Sequence, residues 1–337
     1  MRALWMTKHG GPEVLEVREA PAPRPAAGQI RIAVAACGLN FSDVLARVGF
    51  YPDAPKPPCV LGYEVAGIVD ETGPGVDDFG PGDRVVATPK FGGHADTVCV
   101  SEKSAVRLPD SVAFETAAAL PVNYLTARYM ARRAAGVLPG ETVLVHAAAG
   151  GVGQALLQFC GMIGGVRVLG TASASKHDLV RQNGAEAIDY RAKDYVQEAR
   201  RLTGGEGVDV VFDCLGGADW KRGYGLLRSG GRLVAYGFAN VVQRGGPRRL
   251  PWALLQLARM PRFTPLRLMA DNKSVCGVTI SHMWGEALNA DLAEVVRLCS
   301  EGKLTPHIDS TFSFAEAADA HRRLETRQYL GKVILKP

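Results

Sequence analysis

The sequence is short of several things, and each shortage removes a class of function. No apolar run reaches the ~18 residues needed to span a bilayer. The first ten residues, Met1 to Gly10, lack the apolar stretch of a secretory signal, so a cytoplasmic protein is expected. Aromatic residues make up only 7%, too few for a surface that stacks single-stranded nucleic acid. The 39 Lys+Arg against 34 Asp+Glu leave +5, too mild a charge to imply a nucleic-acid partner. Cys37, Cys59, Cys99, Cys160, Cys214, Cys276 and Cys299 are odd in number, scattered, and form no C-x-x-C pair. They read as buried free thiols in a reducing compartment.

What is present is an ordinary globular balance, 47% hydrophobic and 22% charged over 337 residues, which fits about two domains. Up to about residue 120 the chain reads as β-rich, a small barrel or sandwich. Ile30–Ala36, Val65–Asp70, Arg84–Thr88 and Thr97–Val100 are short β-branched runs between turn clusters such as Gly80-Pro81-Gly82-Asp83. Glu115–Arg133 is Ala-rich with helical spacing. From Thr142 onward strands apolar on both faces alternate with helices, as in a parallel sheet covered by helices. Tyr224–Leu227 falls in a helix of this series, Arg232–Tyr236 and Ser274–Ile280 are its last strands, and a helix over Ala290–Ser300 follows. Ile308–Phe314 and Lys332–Lys336 read as strands that return to the first domain. The expected α/β organisation is a discontinuous domain over 1–122 and 286–337 around a dinucleotide-binding domain over 123–285.

The strongest local signal is Val143-Leu144-Val145-His146-Ala147-Ala148-Ala149-Gly150-Gly151-Val152-Gly153, a buried strand running into glycines that open a helix. Gly150 and Gly151 allow a tight turn and a close approach to a pyrophosphate; Gly153 lets the helix pack on the strand. Ala148 holds the first glycine position of G-x-G-x-x-G, and the strand–turn–helix context carries the assignment. NAD-binding proteins usually place an acid after the second strand for the ribose hydroxyls. Here Val168 to His177 contains none; Ser173, Lys176 and, one strand later, Tyr190 and Arg191 offer hydroxyls and positive charge suited to a 2′-phosphate. NADPH is therefore expected over NADH.

With these residues the sequence resembles the medium-chain dehydrogenase/reductase superfamily, in its zinc-independent quinone oxidoreductase branch, which includes zeta-crystallin. Gly170-Thr171-Ala172-Ser173-Ala174-Ser175-Lys176-His177, Asn123-Tyr124-Leu125-Thr126-Ala127 and Pro306-His307-Ile308-Asp309-Ser310 are similar to its vesicle amine transport protein subgroup. The resemblance covers essentially the whole chain. It implies a GroES-like catalytic domain, a Rossmann doubly wound parallel-sheet domain, Thr126 near the cofactor, and homodimers through the last Rossmann strand, Val275–Ile280. Zinc-dependent members carry Cys in A-x-G-[VI]-C-x-[ST]-D and His in G-H-E. Asn40 and Tyr63 stand at those positions here, and both are poor zinc ligands. Only Cys99 lies where a structural zinc lobe needs four cysteines, so no zinc of either kind is expected.

Without a metal to polarise a simple ketone, hydride needs an acceptor that is already electron-poor: a quinone, an enone or an enoyl thioester. The oxygen that gains charge needs hydrogen-bond donors, and a proton follows from a side chain or water. The resemblance points to Asn40 beside nicotinamide and ribose, where its amide can donate; the bland alternative is a turn residue capping the next helix. Tyr63 and Tyr51 are the phenolic candidates, with a packing role open for each. Asp43 and Glu64 are read as structural. By the same resemblance Arg327 matches a late arginine that reaches the cofactor, the alternative being a solvated arginine at a helix end; Gly237, Phe238 and Asn240 follow the strand Arg232–Tyr236, and their backbone is expected to border the cofactor.

One further absence stands out. From Trp220 to Ala270 there is no Asp or Glu, giving this segment +10 and the rest of the chain −5. Arg244, Arg248, Arg249, Arg259 and Arg262 belong to it, with an apolar run from Leu250 to Leu257. A lid gripping an anionic acyl-CoA, a patch touching anionic lipids, and a solvated insertion packed on its own protein all remain open. The reading is a reductase of quinones or α,β-unsaturated carbonyl compounds. Its alternatives are an enoyl-CoA reductase and a non-catalytic NADPH-binding protein peripheral to membranes.

Overall fold

The structure is a computed structural model that describes residues 1–242, 249–279 and 286–337. Arg244, Arg248 and Ile280 lie outside the described residues, as does the Arg249 side chain. Strands β1 (Arg2–Met6), β2 (Leu15–Glu19) and β3 (Gln29–Leu39) lead to helix α1 (Phe41–Arg47). Next come β4 (Cys59–Val60), β5 (Val65–Thr72), β6 (Arg84–Ala87), β7 (Thr97–Ser101) and β8 (Ala105–Arg107). Helix α2 (Phe114–Ala118) precedes α3 (Pro121–Tyr129), which a π-helical turn over Met130–Ala134 extends. The alternating part contains β9 (Thr142–Val145), α4 (Gly151–Ile163), β10 (Arg167–Ala172), α5 (His177–Gln182), β11 (Glu186–Asp189) and α6 (Tyr195–Leu202). It goes on through β12 (Val208–Asp213), α7 (Ala218–Leu226), β13 (Leu227–Ala235), α8 (Arg249–Ala258), α9 (Pro265–Asp271) and β14 (Ser274–Gly277). The chain finishes with α10 (Glu286–Ser300), β15 (Ile308–Ser313), α11 (Ala317–Glu325) and β16 (Lys332–Lys336).

Contacts divide the chain into two compact units, Met1–Leu125 with Ile280–Pro337, and Thr126–Thr279. In the first, a sheet of order β15-β16-β3-β5-β6-β8, with β7 also on β3, accompanies a small sheet β2-β1-β4. The inward residues of β3, β5 and β6, among them Ile30, Ile32, Val65 and Val85, form the core with Leu335 of β16. Register sets the site. β16 lies antiparallel to β3 with Val333 opposite Leu39, and β5 antiparallel with Val65 opposite Cys37. The end of β3 therefore runs between the starts of β5 and β16.

In the second unit six strands pair in parallel in the order β11-β10-β9-β12-β13-β14. This is the doubly wound Rossmann order. Every residue of β12 is buried, as a strand covered on both faces requires. Leu144, Leu169, Val211 and Leu233 from four neighbouring strands share one core cluster with Tyr195 and Tyr224.

Several sequence expectations are corrected. The helical stretch over Glu115–Arg133 is broken between Ala118 and Pro121, because a proline disfavours helical backbone in the residue before it. Leu227 opens β13, which starts five residues before the expected Arg232. Strand β14 stops at Gly277. All seven cysteines are free, but only Cys37, Cys59 and Cys160 are fully buried. No described helix is long and apolar enough to cross a membrane.

Candidate active site

Because the strands of the second unit are parallel, the loops after β9, β10, β11, β12 and β13 gather at one edge, the carboxyl edge. The β9 loop turns through Ala147 at φ 51° to Gly150, the N-cap of α4. A Cβ at Gly153 would lie 2.3 Å from the Ala147 carbonyl oxygen and 2.7 Å from Ala148 Cα, so only glycine lets α4 press against this turn. Ala148 is buried; Gly150, Gly151 and Val152 are half-buried. The first N–H groups of α4 have no intrahelical acceptor and point its positive end at the edge, an arrangement suited to a pyrophosphate.

After β10, Ser173 is buried with its Oγ 3.5 Å from Ser175 Oγ, and Lys176 is half-buried. Tyr190, after β11, is exposed, with the Arg191 guanidinium 6.0 Å from its ring centre. After β13, a Cβ at Gly237 would stand 2.9 Å from the Cys214 carbonyl oxygen, and Phe238 stacks on Trp220 at 5.8 Å. These residues share the edge. Thr126 is buried on α3.

The same edge holds a buried polar cluster that no sequence motif marks. His146 Nδ1 lies 3.1 Å from Thr171 Oγ1, Nε2 lies 3.9 Å from Asp213 Oδ2, and the ring meets Tyr195 edge-on at 4.7 Å. Asp213 Oδ1 accepts from the N–H groups of Leu215 at 2.6 Å and Gly216 at 2.9 Å, which shapes the β12 loop. Burial pushes the His146 imidazole below its usual range and the Asp213 carboxyl above its own.

In the first unit Asn40 is the N-cap of α1, and its N–H donates to Asp43 Oδ2 at 2.8 Å. The capping alternative thus holds for the backbone of Asn40, while its side chain is engaged elsewhere. Asn40 Nδ2 donates to Glu64 Oε1 at 2.7 Å, and Lys332 Nζ donates to Asn40 Oδ1 at 2.6 Å and to Glu64 Oε1. Glu64 Oε2 accepts from Val122 N–H at 2.7 Å. A Cβ at Gly38 would stand 2.3 Å from Glu64 Oε1, so this glycine makes room for the carboxylate. Burial pushes the Asp43 carboxyl up to about 7. Tyr63 is buried, its ring 6.0 Å from that of Tyr51 and 5.2 Å from that of Phe91. Burial raises its phenol; Ser42 offers its hydroxyl only a loose contact. Arg327 follows α11 at φ 55° and is half-buried.

These residues do not fit a zinc ion. The Asn40 amide is uncharged and already bonded, and the Lys332 ammonium stands against it, where a metal would be repelled. Cys37 Sγ donates instead to the Gly93 carbonyl at 3.0 Å, and burial raises its thiol. Among the described residues no three His, Cys, Asp or Glu are grouped to hold a metal.

A family model described as an alcohol dehydrogenase GroES-like domain matches residues 26–110, and one described as a zinc-binding dehydrogenase matches residues 183–335. The human synaptic vesicle membrane protein VAT-1 homolog is 40% identical across 100% of this chain and 86% of its own length. The chain belongs to the medium-chain dehydrogenase/reductase superfamily. As in that superfamily, a GroES-like part accompanies a Rossmann part, which is the fold class the sequence led us to expect. The quinone oxidoreductase of Escherichia coli, solved with NADPH, superposes with a TM-score of 0.88 at 30% identity, covering 100% of both chains. The CurK enoyl reductase superposes at 0.84 with 28% identity, covering 99% of this chain and 98% of its own. This medium-chain dehydrogenase/reductase is an oxidoreductase similar to quinone oxidoreductases and enoyl reductases.

Proposed function

We propose that the protein is a zinc-independent, NADPH-dependent reductase of electron-poor acceptors, either quinones or the C=C bond of α,β-unsaturated carbonyl compounds. The observation that carries this reading is the end of β3, where an Asn–Glu–Lys network offers hydrogen-bond donors in place of a metal's charge. A simple ketone gains too little from such donors, whereas an acceptor that spreads its charge onto an oxygen gains enough.

NADPH, when bound, supplies the hydride. Its pyrophosphate suits the turn of Ala148, Gly150, Gly151, Val152 and Gly153, and its 2′-phosphate the group Ser173, Lys176 and Tyr190. Thr126, Gly237, Phe238 and Arg327 are assigned to the rest of the cofactor, as is the Asn40 amide. The free N–H of Asn40 serves as donor to the oxygen that gains charge. Tyr51 and Tyr63 orient the acceptor. NADH is the weaker alternative, for want of an acid after β10.

Likeness to an enoyl reductase favours a second reading, an acyl-CoA as acceptor. Arg259 and Arg262, both exposed, would then meet its phosphates. NADPH oxidation against quinones, enones and enoyl-CoA esters tests all of these. Turnover of quinones or enones supports the first reading, and turnover of CoA esters alone supports the second. No turnover leaves a non-catalytic NADPH-binding protein.

We also propose a homodimer through β14. Among the described residues this strand pairs only with β13, which leaves one edge open. Sedimentation equilibrium at the mass of a single chain would refute it.

A further inference from the structure

The register described above puts Lys332, the first residue of β16, beside Asn40, 292 positions earlier in the chain. Lys332 is 3% exposed and Glu64 is fully buried. A buried cation held only by a carboxylate gives little net stability, because desolvation offsets most of the attraction. This one makes a second bond, to Asn40 Oδ1, and that bond has a directional consequence.

An asparagine amide has two nearly isosteric ends, and its neighbours decide which is which. An ammonium only donates and a carboxylate only accepts. Lys332 therefore faces Oδ1, and Glu64 faces Nδ2, as observed. Glu64 takes one of the two N–H groups of Nδ2, and among the described residues no acceptor meets the other. Turning the amide over would set a carbonyl against Glu64 and an N–H against the ammonium, and both contacts would be repulsive.

We propose that Lys332 is a positioning residue. Its ammonium locks the Asn40 amide with Oδ1 inward, so that one N–H is held by Glu64 and the other is kept as the donor of the site. The inference rests on the reading of Asn40 as that donor. Asp43 and His94 are the other titratable groups that feel the Lys332 charge, and Asp43 already accepts from the Asn40 backbone N–H.

The test is a double-mutant cycle on the full-length protein. Asn40→Ala should lower kcat about 10²-fold, the scale for losing one donor to a developing oxyanion. Lys332→Met should lose a comparable factor, and the double variant should be no slower than Asn40→Ala alone. Lys332→Arg, which restores a donor and a charge, should recover most of the rate. The NADPH dissociation constant, titrated without acceptor, should follow the same non-additive pattern. In the cofactor-free protein, the side-chain amide ¹⁵N resonance of Asn40 should shift in Lys332→Met and return in Lys332→Arg. If Lys332→Met does not fold, Lys332→Gln carries the test. An amide at 332 can donate or accept, so it tolerates both orientations and should give an intermediate rate. Full activity in Lys332→Met, or losses that multiply in the double variant, would overturn the inference. Full activity in Asn40→Ala would instead overturn the donor reading beneath it.

Discussion

The two nicotinamide cofactors differ only in the 2′-phosphate, so a cation that binds it must discriminate between them. Lys176→Ala should weaken NADPH by ~1.5–3 kcal/mol, the range for a charged hydrogen bond, and leave NADH nearly unchanged in parallel titrations. Equal losses for both would remove Lys176 from the phosphate. Arg327 tests a second assignment. It adopts φ 55°, a left-handed backbone that costs a non-glycine residue roughly 1 kcal/mol. Arg327→Gly should relieve that backbone cost while weakening NADPH; unchanged affinity would take Arg327 out of the cofactor's reach. At this scale the sequence is uneven. Asn40 and Tyr63 are legible because they stand in short motifs where a metal ligand is missing. Lys332 is not, because a lone lysine heading an apolar strand says nothing about which distant residue its register will meet. His146 and Asp213 close two apolar strands as any strand end might, and only the parallel pairing brings them together.

At the level of elements, the acid-free segment resolves in part into a docked helix. In α8, Ala253 and Gln256 are buried, and Trp252 Nε1 donates to the Asn240 carbonyl at 2.7 Å. Asn240 in turn donates to Asp219 Oδ2 at 2.9 Å, which ties α8 to α7. Leu250, Leu254 and Leu257 lie on the opposite, exposed side. Trp252→Ala should cost ~2 kcal/mol of stability, since it removes both packing and a hydrogen bond. Leu254→Gln should move it by no more than ~0.5 kcal/mol, as for other surface changes. Thermal melts of the two variants compare the two faces, and equal losses would contradict a helix docked by one side. The Rossmann elements were readable because strands apolar on both faces, such as Val208–Phe212, fit little else. β2 (Leu15–Glu19) is not, because this short antiparallel strand with an exposed face carries charge at three of its five positions. Helix α1 is seven residues long, too short for a period, and only the capping alternative for Asn40 points to its start.

At the scale of the molecule, three histidines among the described residues are buried and held below their usual range chiefly by desolvation: His94, His146 and His321. For His94 the folded value falls to about 4. Between that value and ~6.5 the unfolded chain binds a proton and the folded chain does not, so stability present above pH ~6.5 is lost as pH falls toward 4. At ~1.4 kcal/mol per unit this single group accounts for ~3 kcal/mol. Asp43 acts in the opposite sense. With its carboxyl raised to about 7, it favours the folded state most below ~4, and that contribution fades as pH rises through 7. The two contributions come from neighbours of the same Asn40–Glu64–Lys332 network, so replacing one group at a time separates them. His94→Gln should flatten the acid limb, losing ~3 kcal/mol less than the parent between pH 6.5 and 4 in urea titrations. Asp43→Asn should do the reverse, steepening the parent's net loss toward acid because the opposing proton uptake is gone. If both variants track the parent across this window, the acid sensitivity lies with the buried His146 and His321 or with the surface ion pairs, and salt at neutral pH would reproduce only the part due to the ion pairs.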